Sequence, residues 1–206
     1  MPARFISLEG GEGVGKSTQA KALAAALREQ GLDVVLTREP GGSPGAEAIR
    51  ALLLGGEQDR WGPRAETLLF AAARSDHLDK TIRPALARGA WVVCDRFVDS
   101  SIAYQGADGL GEDAIRALHQ VGSEGMLPDR TFLLALETAT ATAREDERDA
   151  GQVDRFGMRD LTYRAHVAAN FEKLAIADPV RWRIIDASGA PADVTARLMA
   201  ALADYL

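Results

Sequence analysis

The feature that most constrains this chain is the run Gly10-Gly11-Glu12-Gly13-Val14-Gly15-Lys16-Ser17, followed by Thr18. It fits G-x-x-x-x-G-K-[ST], a loop whose backbone N–H groups cradle phosphates. Glycines let such a loop turn with positive φ and bring its backbone close to an anion. Lys16 can reach the β- and γ-phosphates of a nucleotide, and the Ser17 hydroxyl can ligate Mg²⁺. Both flanks agree with this reading. Phe5-Ile6-Ser7-Leu8 suits a buried parallel strand. Ala20, Leu23, Ala24 and Leu27 then recur at helical spacing until Gly31, a fitting helix C-cap. Strand, glycine loop and helix N-terminus together make an anion site from unpaired N–H groups and the helix dipole. A glycine-rich turn with an accidental GKS would not need those flanks.

The rest of the chain repeats the alternation. Strand-like runs at Arg4–Glu9, Asp33–Arg38, Trp91–Asp95, Thr131–Leu136 and Arg181–Asp186 are separated by helical patterns. The helices are expected at Lys16–Gln30, Pro44–Leu54, Arg64–Arg88, Glu112–Val121, Arg159–Ala177 and Ala192–Tyr205. This order predicts an α/β fold of three layers, α/β/α, around a central parallel five-stranded sheet. With 206 residues and neither repeat nor low-complexity linker, residues 1–206 are expected to form one domain.

Composition limits what the cavity of such a fold can hold. The net charge is −6, so no global basic field draws in nucleic acid or an anionic membrane. Phosphates must then be met by cations gathered locally. Cys94 is the single cysteine, which excludes an intramolecular disulfide and suits a reducing cytoplasm. It falls in an apolar strand and reads as a buried, inert thiol. Strand and loop begin within ten residues, so no signal peptide is expected, and no apolar run approaches membrane-spanning length.

Ligands on parallel sheets bind at the carboxyl ends of the strands, so the chemistry is expected there. The second strand ends in Thr37-Arg38-Glu39-Pro40-Gly41-Gly42, with Arg38 either a solvated loop charge or a phosphate ligand. Phe70 and Arg74, four apart on a helix, share a face. They could stack on and hydrogen-bond a base, although pattern alone favours Phe70 as core and Arg74 as exposed. His77 has no metal-ligand spacing to a second His or Cys and reads as structural, while His119 and His166 lie on helical segments and offer no chemistry. The third strand runs into Asp95-Arg96-Phe97-Val98-Asp99-Ser100-Ser101-Ile102-Ala103-Tyr104-Gln105-Gly106. Asp95 after an apolar strand is a candidate to hold Mg²⁺, with Ser17, and Arg96 offers a phosphate-binding fork. Ser100, Ser101, Tyr104 and Gln105 add neutral groups suited to a sugar or base, the alternative being a polar loop and helix cap. Residues 144–151 are highly charged and lack apolar anchors, as would a mobile lid at about 140–155 or a solvated surface helix.

GGEGVGKST at 10–18, TREPGG at 37–42 and DRFVDSSIAYQG at 95–106 resemble the motifs of the thymidylate kinases, and the similarity runs the length of the chain. The resemblance implies the P-loop NTPase, nucleoside-monophosphate-kinase fold. It implies transfer of the ATP γ-phosphate to dTMP with Mg²⁺, by a cytoplasmic homodimer. Gly10 to Thr18 would bind ATP, with Lys16 catalytic and Glu12 contacting the sugar 3′-hydroxyl of dTMP. Arg38 and Arg96 look like the pair that holds the acceptor phosphate. Phe70 would stack on thymine, which reverses the core-only reading, and Arg74 would donate to its edge. Ser100, Ser101, Tyr104 and Gln105 look like the remaining base and deoxyribose contacts. Gly11, Glu12, Gly13 and Val14 include no arginine, so the sequence is similar to members that supply the catalytic arginine from the lid. Arg148 is the expected residue, with Arg144 and Arg155 as alternatives. The chain departs from the family pattern in its acidic lid and in Ala135 after the fourth strand. Two rival readings remain: another nucleoside-monophosphate kinase on the same fold, or an ATP-dependent switch protein.

Overall fold

The computed structural model describes residues 2–57, 59–149 and 161–206. Five strands, β1 (Phe5–Glu9), β2 (Val34–Arg38), β3 (Trp91–Asp95), β4 (Arg130–Ala135) and β5 (Trp182–Asp186), lie within a residue of the expected runs. They form one parallel sheet in the order β2-β3-β1-β4-β5. The helices are α1 (Lys16–Glu29), α2 (Pro44–Leu54), α3 (Pro63–His77), α4 (Arg83–Ala87), α5 (Val98–Gln105), α6 (Glu112–Ser123), α7 (Thr138–Asp149), α8 (Leu161–Ala177) and α9 (Pro191–Ala200).

The strands are apolar on both sides because both faces are covered. Ile6 and Leu8 of β1 pack with Leu23 and Leu27 of α1 and Leu198 of α9 on one face. Phe5 joins Leu78, Phe97, Ile102 and Phe171 on the other. Each large side chain so buried contributes roughly 1.5–3 kcal/mol, enough to fix the register of strands whose own sequences would tolerate slippage.

Three expectations about helices change. The single helix expected over Arg64–Arg88 is instead α3, a wide π-type turn at Leu78–Ile82, and α4. Pro84 has no N–H to donate and its ring crowds the preceding turn, which the wider spacing absorbs. The last helix stops at Ala200 rather than Tyr205. Arg130 donates to the Ala201 carbonyl at 2.9 Å, an acceptor that a continuing helix would have used, and to the Asp204 carboxylate at 2.7 Å. The polar stretch after β3 is helix α5, not a loop. Its Asp99 is fully buried and receives both terminal nitrogens of Arg181, at 2.6 and 3.1 Å.

That pair ties α5 to the start of β5. Replacing Arg181 with Met would leave Asp99 buried and uncompensated, so urea unfolding should report a loss of roughly 3–5 kcal/mol.

Candidate active site

The parallel register decides which residues meet. Asp95 at the end of β3 is the register partner of Arg38 on one side and Leu8 on the other. Three strand ends therefore open side by side onto a cavity of about 740 Å³. Glu12 to Gln19 line one part of it. Phe70, Arg74, Ser101, Tyr104 and Gln105 line another, with Arg38, Asp95, Arg96 and Ser100 also on the wall.

In the loop, Gly13 has φ 72, and a Cβ there would collide with the backbone carbonyl of Ala141 on α7. Glycine is needed at that position for close approach as well as for the turn. Lys16 is buried and donates to the Gly11 carbonyl at 2.5 Å. Burial and the neighbouring Arg96 charge pull its pKa down to about 8. The Gly11 and Gly10 carbonyls both receive cationic side chains, Gly10 from Arg96 at 3.3 Å.

Ser17 donates its hydroxyl to Asp95 Oδ2. Asp95 Oδ1 is buried and accepts no hydrogen bond. An orphaned carboxylate oxygen beside a serine oxygen suits a hard, oxygen-seeking cation such as Mg²⁺. Among the described residues no cluster of three or more His, Cys, Asp or Glu could hold a metal unaided. The donor set fits Mg²⁺ bound by few protein oxygens together with nucleotide phosphates.

Arg96 adopts φ 72, rare for a side-chain-bearing residue. Its guanidinium donates to Glu12 Oε1 at 2.5 Å, to Ser100 Oγ at 3.1 Å and to the Tyr104 hydroxyl at 3.3 Å. Burial works against its charge, but Glu12, Tyr104 and Asp95 outweigh it and hold its pKa above the ordinary value. Tyr104 also donates to Glu12, at 3.1 Å, and burial holds its phenol protonated far above the usual range. Arg38, by contrast, is half-exposed at the rim, with one nitrogen 3.1 Å from both oxygens of Glu47.

Arg74 corrects the pattern-based expectation of an exposed charge. It is 3% exposed, donating to Glu39 at 2.8 Å and to Ser101 Oγ at 2.6 Å. His77 Nδ1 lies 3.1 Å from the other Glu39 oxygen, and its Nε2 lies 2.7 Å from Thr37 Oγ1. Burial raises the Glu39 pKa, but Arg74 and His77 more than reverse that, leaving the carboxyl below its usual value. Phe70 is half-buried on the cavity wall rather than in the core. Gln105 donates weakly to buried Glu66, at 3.4 Å.

Sequence reasoning missed three residues. Glu39 orients Arg74, and Arg50 of α2 lines the cavity while donating to the Pro40 carbonyl at 2.7 Å. Glu9, fully buried at the end of β1, accepts from the Phe97 N–H at 2.7 Å and lies 2.5 Å from Ser100 Oγ. Only the charge of Glu39 within TREPGG offered a signal; Glu9 looked like a strand terminus. The expected lid is helical up to Asp149, and Arg144 lines the cavity 3.5 Å from the Ala187 carbonyl. Arg148 belongs to α7, but its side chain lies outside the described set, as do Arg155 and the lid beyond Asp149.

A P-loop, a magnesium-suited Ser–Asp pair, and an arginine-lined pocket ending in an aromatic wall define a P-loop kinase of small nucleotides. Comparison narrows the class: the thymidylate kinase family model matches residues 8–198. The thymidylate kinase of Rhizorhabdus wittichii is 64% identical over the whole of both chains. That of Gluconobacter oxydans is 51% identical over 98% of this chain and 95% of its own. The crystal structure of thymidylate kinase from Ehrlichia chaffeensis matches with TM-score 0.80 and 30% identity, covering 98% of this chain and 100% of that one. The chain belongs to the thymidylate kinase family. Among the described residues no helix is long and apolar enough to cross a membrane.

Burial, and then the charge of Asp99, push the Glu9 pKa up to about 8 from its usual 4.5. Between those values the folded protein keeps a proton that the unfolded chain has lost, so this group costs stability as pH rises. Glu9→Gln should therefore gain stability relative to the parent as pH climbs from 5 to 8, with near equality at pH 5, measured by urea denaturation across the range.

Proposed function

We propose that this chain transfers the γ-phosphate of ATP to dTMP, giving dTDP and ADP, as expected of its family. One observation carries the reading: a single cavity has the P-loop on one wall, the Phe70–Arg74 pocket on another, and Arg96 near both. Two nucleotides in that space would meet phosphate to phosphate.

Phosphoryl transfer asks the protein for alignment and for neutralisation of charge on the equatorial oxygens. Backbone N–H groups of Gly10–Thr18 and the Lys16 ammonium hold the ATP phosphates. Ser17 and Asp95 are the residues to hold Mg²⁺, which when bound neutralises phosphate charge. Arg96 and Arg38 grip the dTMP phosphate, with Arg50 a further cation on the same wall. Phe70 stacks on thymine, Arg74 donates to its edge, and Ser100, Ser101, Tyr104 and Gln105 complete the nucleoside contacts. Glu12, already bonded to Arg96 and Tyr104, reaches the sugar 3′-hydroxyl.

The lid at about 140–155 closes over the phosphates and excludes water, which would otherwise accept the γ-phosphate. Arg144 sits beside Ala187 and Gly189, a position that suits the base end of ATP. Arg148 is then the catalytic arginine, with Arg155 the alternative. The whole chain acts as one domain, in a cytoplasmic homodimer. Leu68 of α3 and Val121 of α6 are exposed on helices that pack against each other, which favours these helices as the dimer face.

ADP release measured across dTMP, dUMP, dCMP, dGMP and dAMP tests the reaction. Turnover should be fastest with dTMP. The thymine methyl should favour it over dUMP by about 1–3 kcal/mol, and purines should be rejected far more strongly. Equal turnover of dGMP would favour another monophosphate kinase, and slow ATP hydrolysis indifferent to every acceptor would favour a switch protein. Arg148→Ala should lower kcat by about 10³ or more while dTMP affinity stays nearly intact. A loss under about threefold would retire the assignment of the catalytic arginine.

A further inference from the structure

We propose that Glu9 is a positioning residue for the acceptor phosphate, holding the Arg96–Ser100 segment so that the Arg96 guanidinium stays on the cavity wall. The inference rests on the reading above in which Arg96 grips the dTMP monophosphate.

The two carboxyl oxygens of Glu9 divide their work. Oε1 accepts the Phe97 N–H at 2.7 Å, and Oε2 lies 2.5 Å from Ser100 Oγ. Ser100 Oγ in turn accepts from Arg96 at 3.1 Å, so the carboxyl group reaches the guanidinium through one hydroxyl. The Arg96 N–H donates to the Leu8 carbonyl at 3.0 Å, pinning the near end of the same segment to β1. Between these anchors Arg96 is held at φ 72, a conformation that persists only where the surroundings over-determine it.

Filling core space does not account for this residue. An apolar side chain would fill the space as well without the cost of burying a carboxyl group, and it would leave the buried Phe97 N–H without its acceptor. Asp99, the carboxylate whose charge bears on Glu9, is committed to Arg181. Burial pushes the Glu9 pKa up to about 8, so the contacts it makes are kept at a cost that packing alone would not explain. Ser100 Oγ donates to Glu9 Oε2, so the carboxyl group sets how the Ser100 hydroxyl sits on the cavity wall.

The test is calorimetric binding at pH 7 of dTMP and of thymidine, which lacks the phosphate, to the full chain and to Glu9 variants, with the KM for ATP as control. Glu9→Gln keeps an acceptor for Phe97 and a polar partner for Ser100, and should bind dTMP within about threefold of the parent. Glu9→Leu loses both contacts and should bind dTMP at least about tenfold more weakly. Its KM for ATP should stay within about twofold and its thymidine affinity, which Glu9 reaches only through Ser100, should fall clearly less than that for dTMP, a split that a general loss of packing would not give. If the Leu variant fails to fold, Glu9→Asp, which withdraws the carboxyl group by one methylene, decides in its place. Glu9 loses its role if the folded Leu or Asp variant binds dTMP within about twofold of the parent, or if thymidine weakens as much as dTMP. Parent protein that binds no dTMP at all would instead sink the proposed reaction.

Discussion

The Arg96 guanidinium, shared among Glu12, Tyr104, Ser100 and the Gly10 carbonyl, is the contact on which the cavity depends. It joins the P-loop to the segment after β3 across more than eighty residues of sequence. A buried cation is expensive unless its donors are met, and here Glu12, Ser100 and Tyr104 are also walls of the cavity. Meeting the cost of burial and shaping the site are the same set of bonds. Glu12 supplies the main compensating charge, which is why the pKa of Arg96 ends above its ordinary value in spite of burial.

A second network stands behind the pocket at Phe70. Glu39 receives Arg74 and His77, and Thr37 closes the far side of the imidazole. All four residues are buried, so Arg74 has little freedom to turn toward solvent. A side chain held this way loses little further entropy on binding a ligand. The same logic separates Arg74 and Arg96, fixed within networks, from Arg38, which is solvated at the rim and screened.

The net charge of −6 and the cationic cavity are compatible because charge is sorted locally. Lys16, Arg38, Arg50, Arg74, Arg96 and Arg144 all line the same space. Glu12, Glu39 and Glu47 sit against the guanidinium groups of Arg96, Arg74 and Arg38. Anions reaching the site would exchange with these internal partners, so affinity depends on how far each carboxylate yields its cation.

Local spacing encodes backbone period and loop shape, and these were legible. The order of strands and helices, the P-loop with Ser17, Asp95 as the polar end of an apolar strand and the α3 face carrying Phe70 and Arg74 all follow from neighbours a few residues apart; that Ser17 and Asp95 meet does not. Helix α5 was not legible, because what holds it in place includes the Asp99–Arg181 pair, joining residues 82 positions apart, rather than an apolar stripe. The burial of Arg74 and the functions of Glu9 and Glu39 were hidden for the same reason: each depends on which strand ends the parallel register sets side by side. Sequence determined which chemistry was present and on which elements. Tertiary structure decided which charges face each other, since that requires the order β2-β3-β1-β4-β5, which no local pattern contains.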